Sequence, residues 1–354
     1  MQRAILILIL FMALMSGRHP ILRMPQRPET MVLTATPLAL DSGDPKRRQL
    51  GALRYLGGWS LAADRPSFGG ISSLRIGDDG AVTALGDGGE IMTFRAGQDG
   101  RSRAHLRLVP MMVQEKGASR SLWDTESMTT DPVSGRIWVG FEYRNRICRY
   151  SAGFGRVERC AAPEAIRDWP NRTGMESLAR LPDGRFLAIA EESPGPGGVG
   201  HDMLLFAGDP VDAATPPPIR MAYVAPQGYL PTDAVWLGHG RLLVMNRRVT
   251  LAEGFTGVLT LVDMGEPGPG RLLRGTVVAR LAAPVPHDNF EGLAIGSEGG
   301  ERVLWIASDD NHLFFQRSLL LKFAMPAAWF TDVRGGGAGR GPKYRRDPRF
   351  FRKL

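Results

Sequence analysis

The sequence predicts an all-β fold, a single β-propeller of five or six four-stranded blades whose ring is closed by an N-terminal strand. Two observations carry this expectation. A short phrase returns at a spacing of about fifty-five residues, a period that signals an array of like supersecondary units. Its copies are Gly70-Ile71-Ser72-Ser73-Leu74, Asp124-Thr125-Glu126-Ser127-Met128, Gly174-Met175-Glu176-Ser177-Leu178, Thr232-Asp233-Ala234-Val235 and Asn289-Phe290-Glu291-Gly292-Leu293. Each copy is also followed by a turn and then by an apolar run that ends on acidic or polar residues.

Taken in chain order, Arg3 and the apolar run Ala4 to Met15 have the length of a signal-peptide core and fall short of a membrane span. Residues 1–25 are therefore expected to be a signal peptide or an uncleaved N-terminal anchor, and 26–50 a linker. The propeller domain is expected over 51–331, with Leu53–Leu61 supplying the outer strand of the last blade and removing the ring's free edges. The hairpins come next. In the third copy, Pro182-Asp183-Gly184 supplies turn chemistry and Arg185–Ala190 reads as a buried strand. Folding there brings Glu176 to Glu191 and Glu192. Equivalent turns bring Ser72 to Asp87, Asp124 and Glu126 to Glu142, Asp233 to Asn246 and Arg247, and Asn289 and Glu291 to Asp309 and Asp310. Outer strands are expected at Ile91–Arg95, Ile147–Tyr150, Met203–Ala207, Val258–Val262 and Ser318–Phe323. Residues 332–354 read as a basic flexible tail.

Charge is unevenly distributed. Of the formal +8, Arg334–Leu354 carries +7 and residues 1–50 carry +4, which leaves the body at −3. A nucleic-acid protein would carry its positive charge on folded surface, so nucleic acid is excluded as a partner. Membrane contact through the apolar N-terminus or the basic tail stays open. The two cysteines, Cys148 and Cys160, flank a credible turn at Ala152-Gly153-Phe154-Gly155. In an exported chain this favours a cross-strand disulfide, with two buried thiols as the alternative. Gly195–Gly200 satisfies G-x-G-x-x-G on paper but contains Pro196 and leads into a strand, so a dinucleotide site is rejected on context. Ser72 lacks the setting of a nucleophile elbow.

Pseudo-symmetry sets the hairpin ends on one rim and makes that rim acidic. Glu126, Glu176 and Glu291 share a register, and Ser72 and Asp233 are expected at the two remaining positions of the ring. Converging carboxylates must be relieved by raised pKa values, by paired bases or by bound cations. Oxygen ligands with no cysteine and little histidine select a hard ion, calcium first and magnesium second. The alternative reading for any one carboxylate is capping of backbone N–H groups.

At these residues the chain resembles the phytase-like family, bacterial proteins labelled for an esterase-like activity of phytase. The matching pieces are Phe68–Leu74, Gly174–Ala179, Asp288–Leu293 and Ile306–Asn311, in order, over roughly residues 55–325. The resemblance implies a propeller, export and hydrolysis of an ester or phosphoester. It departs at the fourth copy, where Asp233-Ala234 stands in for the usual Ser-Glu. Two function classes follow. In the first, a metal-assisted hydrolase of a small ester or phosphoester uses Glu176 or Glu291 as base and Arg247 as anion clamp, with Glu126, Glu142, Glu191, Asp309 and Asp310 as metal ligands. In the second, a non-catalytic propeller binds a ligand or protein at the same mouth. The protein is expected to be a monomer, exported to the periplasm or beyond.

Overall fold

The computed structural model describes residues 27–95, 100–110 and 123–331. The expected signal segment 1–25 and the basic tail 332–354 lie outside the described residues. Three strands come first: β1 (Glu29–Pro37), β2 (Gln49–Leu50) and β3 (Leu53–Ala63). The first meander is β4 (Ile71–Ile76), β5 (Ala81–Gly86), β6 (Glu90–Arg95) and β7 (Gly100–Leu108). The second is β8 (Thr125–Thr130), β9 (Ile137–Phe141), β10 (Arg146–Tyr150) and β11 (Val157–Ala161). The third is β12 (Met175–Arg180), β13 (Phe186–Pro194), β14 (His201–Phe206) and β15 (Ile219–Val224). In the fourth, β16 (Leu230–Gly238), β17 (Arg241–Thr250) and β18 (Gly254–Asp263) are joined by β20 (Thr276–Leu281). The intervening β19 (Leu272–Arg274) runs parallel to β15 of the third meander. Finally β21 (Asn289–Glu298), β22 (Glu301–Asp309) and β23 (Ser318–Ala324) pair in sequence, and β23 takes β3 as its outer neighbour.

The first strands of the meanders touch in cyclic order, β4 to β8 to β12 to β16 to β21 and back to β4. Close approach is sequence-encoded: a Cβ on Gly292 would sit 2.4 Å from the Leu74 side chain of β4 and would have to displace it. Apolar layers fill the wedges between meanders, for example Leu243, Leu259, Phe290, Leu304 and Phe323. Trp59 of β3 stacks on Trp305 of β22, with centroids 6.1 Å apart. The architecture is that of an all-β propeller.

The structure corrects two expectations. Residues 29–37 are not linker: β1 pairs antiparallel with both β3 and β7, joining the first and last meanders into one ten-stranded sheet. Its alternation buries Met31 and Leu33 and leaves Thr34 exposed, a period-two pattern that belongs to no repeat copy. The second correction is the register of the fourth copy. Every first strand carries an extra residue near its start, where pairing to its neighbour slips by one; β16 has a second slip near its end, between Trp236 and Gly238. The extra residue near the start is Ser72, Glu126, Glu176, Thr232 or Glu291. Thr232, and not Asp233, is therefore the fourth equivalent of the glutamates. A bulge re-aims the extra side chain out of the ladder, which is what frees three glutamates to converge.

Candidate functional site

The bulged glutamates and the ends of the second strands build one acidic site in two parts. In the first part, Asp124, Glu126 and Glu142 offer carboxylate oxygens that all lie within 4.8 Å of one another. Asp124 and Glu126 are half-buried and Glu142 is buried. One Glu142 oxygen accepts the Gly174 N–H at 2.8 Å, which ties β9 to the approach of β12. Burial and then Asp124 push the Glu142 carboxyl up to about 8, although the Gly174 N–H and a hydrogen bond with Glu176 oppose the rise. Burial, Glu176 and Glu142 raise Glu126 well above the usual carboxylate range.

Arg247 organises the second part. Its guanidinium donates to Asn289 Oδ1 at 2.7 Å, to Glu291 Oε1 at 2.6 Å and to a Glu191 oxygen. Asn289 closes the circuit by donating to Glu291 Oε1 at 2.8 Å. One cation thus faces two buried carboxylates, and Glu176, where it ionises, is held by the same cation. Burial outweighs Arg247 at Glu291, which is pushed up to about 7, and at Glu191, which is also raised. Glu176 is raised well above its ordinary value, first by burial and then by Glu191 and Glu142. Glu176 and Glu142 thus act on each other, and burial with like charge favours the protonated form of both.

The expected ligand set is therefore divided. Glu126 and Glu142 meet, together with Asp124; Glu191 is committed to Arg247. Asp309 accepts the Asn311 N–H at 2.6 Å, and Asn289 Nδ2 stands 3.4 Å from its other oxygen. Burial, Glu291 and Asp87 push it well above its ordinary value. Asp310 accepts N–H groups of Gly70 and His312 and the Ser318 hydroxyl, at 2.9, 3.0 and 2.7 Å. It fixes a turn beside the site. Gly70, at φ +61°, lets the chain pass: a Cβ there would meet Asp87 at 2.6 Å and His312 at 3.1 Å. Asp233 accepts the N–H groups of Ala234 and Leu293, both at 2.7 Å, and so bonds β16 to β21. The reading as a backbone cap thus holds for Asp233 and Asp310.

Sequence reasoning missed the hub role of Asn289 and omitted Asp124 from the ligands. Their signal was positional, since both stand two residues before a bulged glutamate. The expected disulfide is present: Cys148 and Cys160 face each other across β10 and β11 and are bonded. Gly195–Gly200 forms a tight turn between β13 and β14.

A family model described as phytase-like, esterase-like activity of phytase, matches residues 66–312. The chain belongs to that family. No curated protein matches it. Among solved structures it is similar to a luciferin-regenerating enzyme, at 10% identity and TM-score 0.43, with 82% of this chain and 95% of that one covered. It is also similar to the β-propeller domain of Cps50 (Swd1) from Myceliophteria thermophila, at 10% identity and TM-score 0.37, covering 85% and 100%. A third is the N-terminal domain of Nup159, at 9% identity and TM-score 0.39, covering 79% and 97%. At these scores the likenesses carry no argument about the chain.

Proposed function

We propose that this protein is an exported hydrolase of a small ester or phosphoester, assisted by a divalent cation at the acidic end of a five-bladed propeller whose last blade β3 completes. The observation that carries the reading is the meeting of the Asp124, Glu126 and Glu142 carboxylates within 4.8 Å, beside the Arg247 circuit. An all-oxygen set suits a hard ion, calcium ahead of magnesium. Those three residues would hold it, and when bound it would supply positive charge against an oxygen that becomes negative.

The remaining roles fall to the chain's own residues. Glu176, whose carboxyl burial, Glu191 and Glu142 push well above its ordinary value, is the acid that gives its proton to a leaving oxygen. Glu291, with a carboxyl near 7, is the base toward water. Arg247 is no free anion clamp, because carboxylates already occupy it; it positions Glu291. The Cys148–Cys160 bond supports export to an oxidising compartment.

Calorimetric titration with calcium tests the core of the proposal. Binding should appear at ~1 mM or below and weaken at least tenfold in Glu142→Gln. Absence of binding by the unmodified protein would remove the cation, and a non-catalytic propeller that binds its ligand at this mouth becomes the better reading.

A further inference from the structure

The acidic site uses only the beginning of each inner strand. Beyond it, residues of the same strands line a cavity of about 250 Å³. Thr130, Arg180, Trp236 and Ile295 stand at equivalent positions, four after the bulge on β8, β12, β16 and β21. At ~3.3 Å per residue, this level lies roughly 13 Å along the strands from the glutamates. Between the two levels, Met128, Leu178, Ala234 and Leu293 are buried and form the cavity's inner wall. The cavity is thus separate from the acidic site, with the Asp233 bonds to Ala234 and Leu293 in the partition.

We propose that this cavity binds a small monocarboxylate with an aromatic or branched apolar body. Its walls are apolar, with Val235, Trp236 and Ile295 half-buried and available to a ligand. Arg180 is the cation among the lining residues. Its side chain is only 17% exposed, and its contacts with Asp131 and with the Leu181 carbonyl are both long, at 3.4 Å, and both made through one terminal nitrogen. The guanidinium also lies over the Trp138 ring, 6.0 Å from its centroid, a contact that uses its face and leaves the other N–H groups in its plane for a carboxylate. Asp131 beside Arg180 opposes a dianion, which disfavours phosphate. Pockets of this composition, mostly apolar with a few convergent polar groups, are typical of small-molecule sites, and this volume suits a body of one ring.

Benzoate is the probe, with benzyl alcohol as its uncharged counterpart and inorganic phosphate as the charged one. Calorimetry on the full chain should show one saturable benzoate site, at least tenfold weaker for benzyl alcohol and absent for phosphate. Arg180→Gln should lower benzoate affinity at least tenfold and leave benzyl alcohol unchanged. In the unmodified protein, benzoate should shift the Trp236 indole N–H resonance, identified by its loss in Trp236→Phe. This readout stands even if the Arg180 variant does not fold. Calcium should not compete, whatever the acidic site does. No saturable binding at ~10 mM benzoate, an unmoved Trp236 signal, or equal affinity in a folded Arg180→Gln protein would each overturn the proposal.

Discussion

Arg247 bridges Glu191 and Glu291, two buried carboxylates from different meanders, and the Glu291 contact is 2.6 Å long. A guanidinium suits this place because its planar fork serves several acceptors at once. Truncation to Arg247→Ala leaves two carboxylates buried without their cation, a change that costs about 3–5 kcal/mol. Urea unfolding should show that loss. Adding Glu191→Gln and Glu291→Gln to the same chain should recover most of it, because the orphaned charges are then gone. If the single variant loses under ~1 kcal/mol, the circuit contributes little to stability.

Stability should fall as pH rises in the metal-free protein. Glu142 and Glu291 have folded pKa values above the ordinary 4.5, near 8 and near 7. The unfolded chain therefore releases these protons first, and each pH step above about 4.5 favours it until the folded groups ionise. The decline should run from about pH 4.5 to about 8, with a flat contribution below that window, and amount to a few kcal/mol. Melting temperatures in a chelator at pH 5, 7 and 9 measure it. A melting temperature that rises with pH across this window would contradict the raised values. Under the proposed cation role, saturating calcium should flatten the slope.

The hairpins are legible in the sequence because their causes are local. Pro182-Asp183-Gly184 turns the chain whatever surrounds it, and Phe186–Ala190 is apolar enough to be recognised as a buried strand. The shared register of Glu126, Glu176 and Glu291 is legible for the same reason. The bulge is not, since one extra residue changes neither composition nor turn chemistry, and so Thr232 stays hidden behind the more conspicuous Asp233. Outer strands such as β7 and β11 mix charged residues with apolar ones, because part of their surface meets solvent. Their pattern resembles loop until a neighbour is supplied. The division of the carboxylates between Arg247 and the Asp124 group depends on side chains from several meanders, and no single segment encodes it.

Strand β1 makes an N-terminal truncation costly where a linker would tolerate one. It covers the edges of β3 and β7 together, and Leu33 is 1% exposed. Leu33→Ala should cost about 2–5 kcal/mol through lost burial and the cavity left behind. Deletion through Pro37 should expose two strand edges and promote association, visible by light scattering. Wild-type-like urea unfolding of the Leu33 variant would return this segment to the status of a linker.

Glu176 and Glu142 each shift the other's carboxyl, yet their proposed roles differ, and paired variants separate them. Glu176→Gln keeps the side chain's shape and removes only its acid, so the fold and the Asp124–Glu126–Glu142 group should persist. Calcium affinity should then change by less than about threefold, while turnover of an aryl ester falls by ~10²–10⁴, the usual contribution of a positioned acid. In Glu142→Gln the order reverses, with calcium affinity falling first and turnover following it at low calcium. High calcium should restore turnover in the second variant and not in the first. If Glu176→Gln weakens calcium as much as Glu142→Gln does, then Glu176 is itself a ligand, and the proton must be delivered by another group.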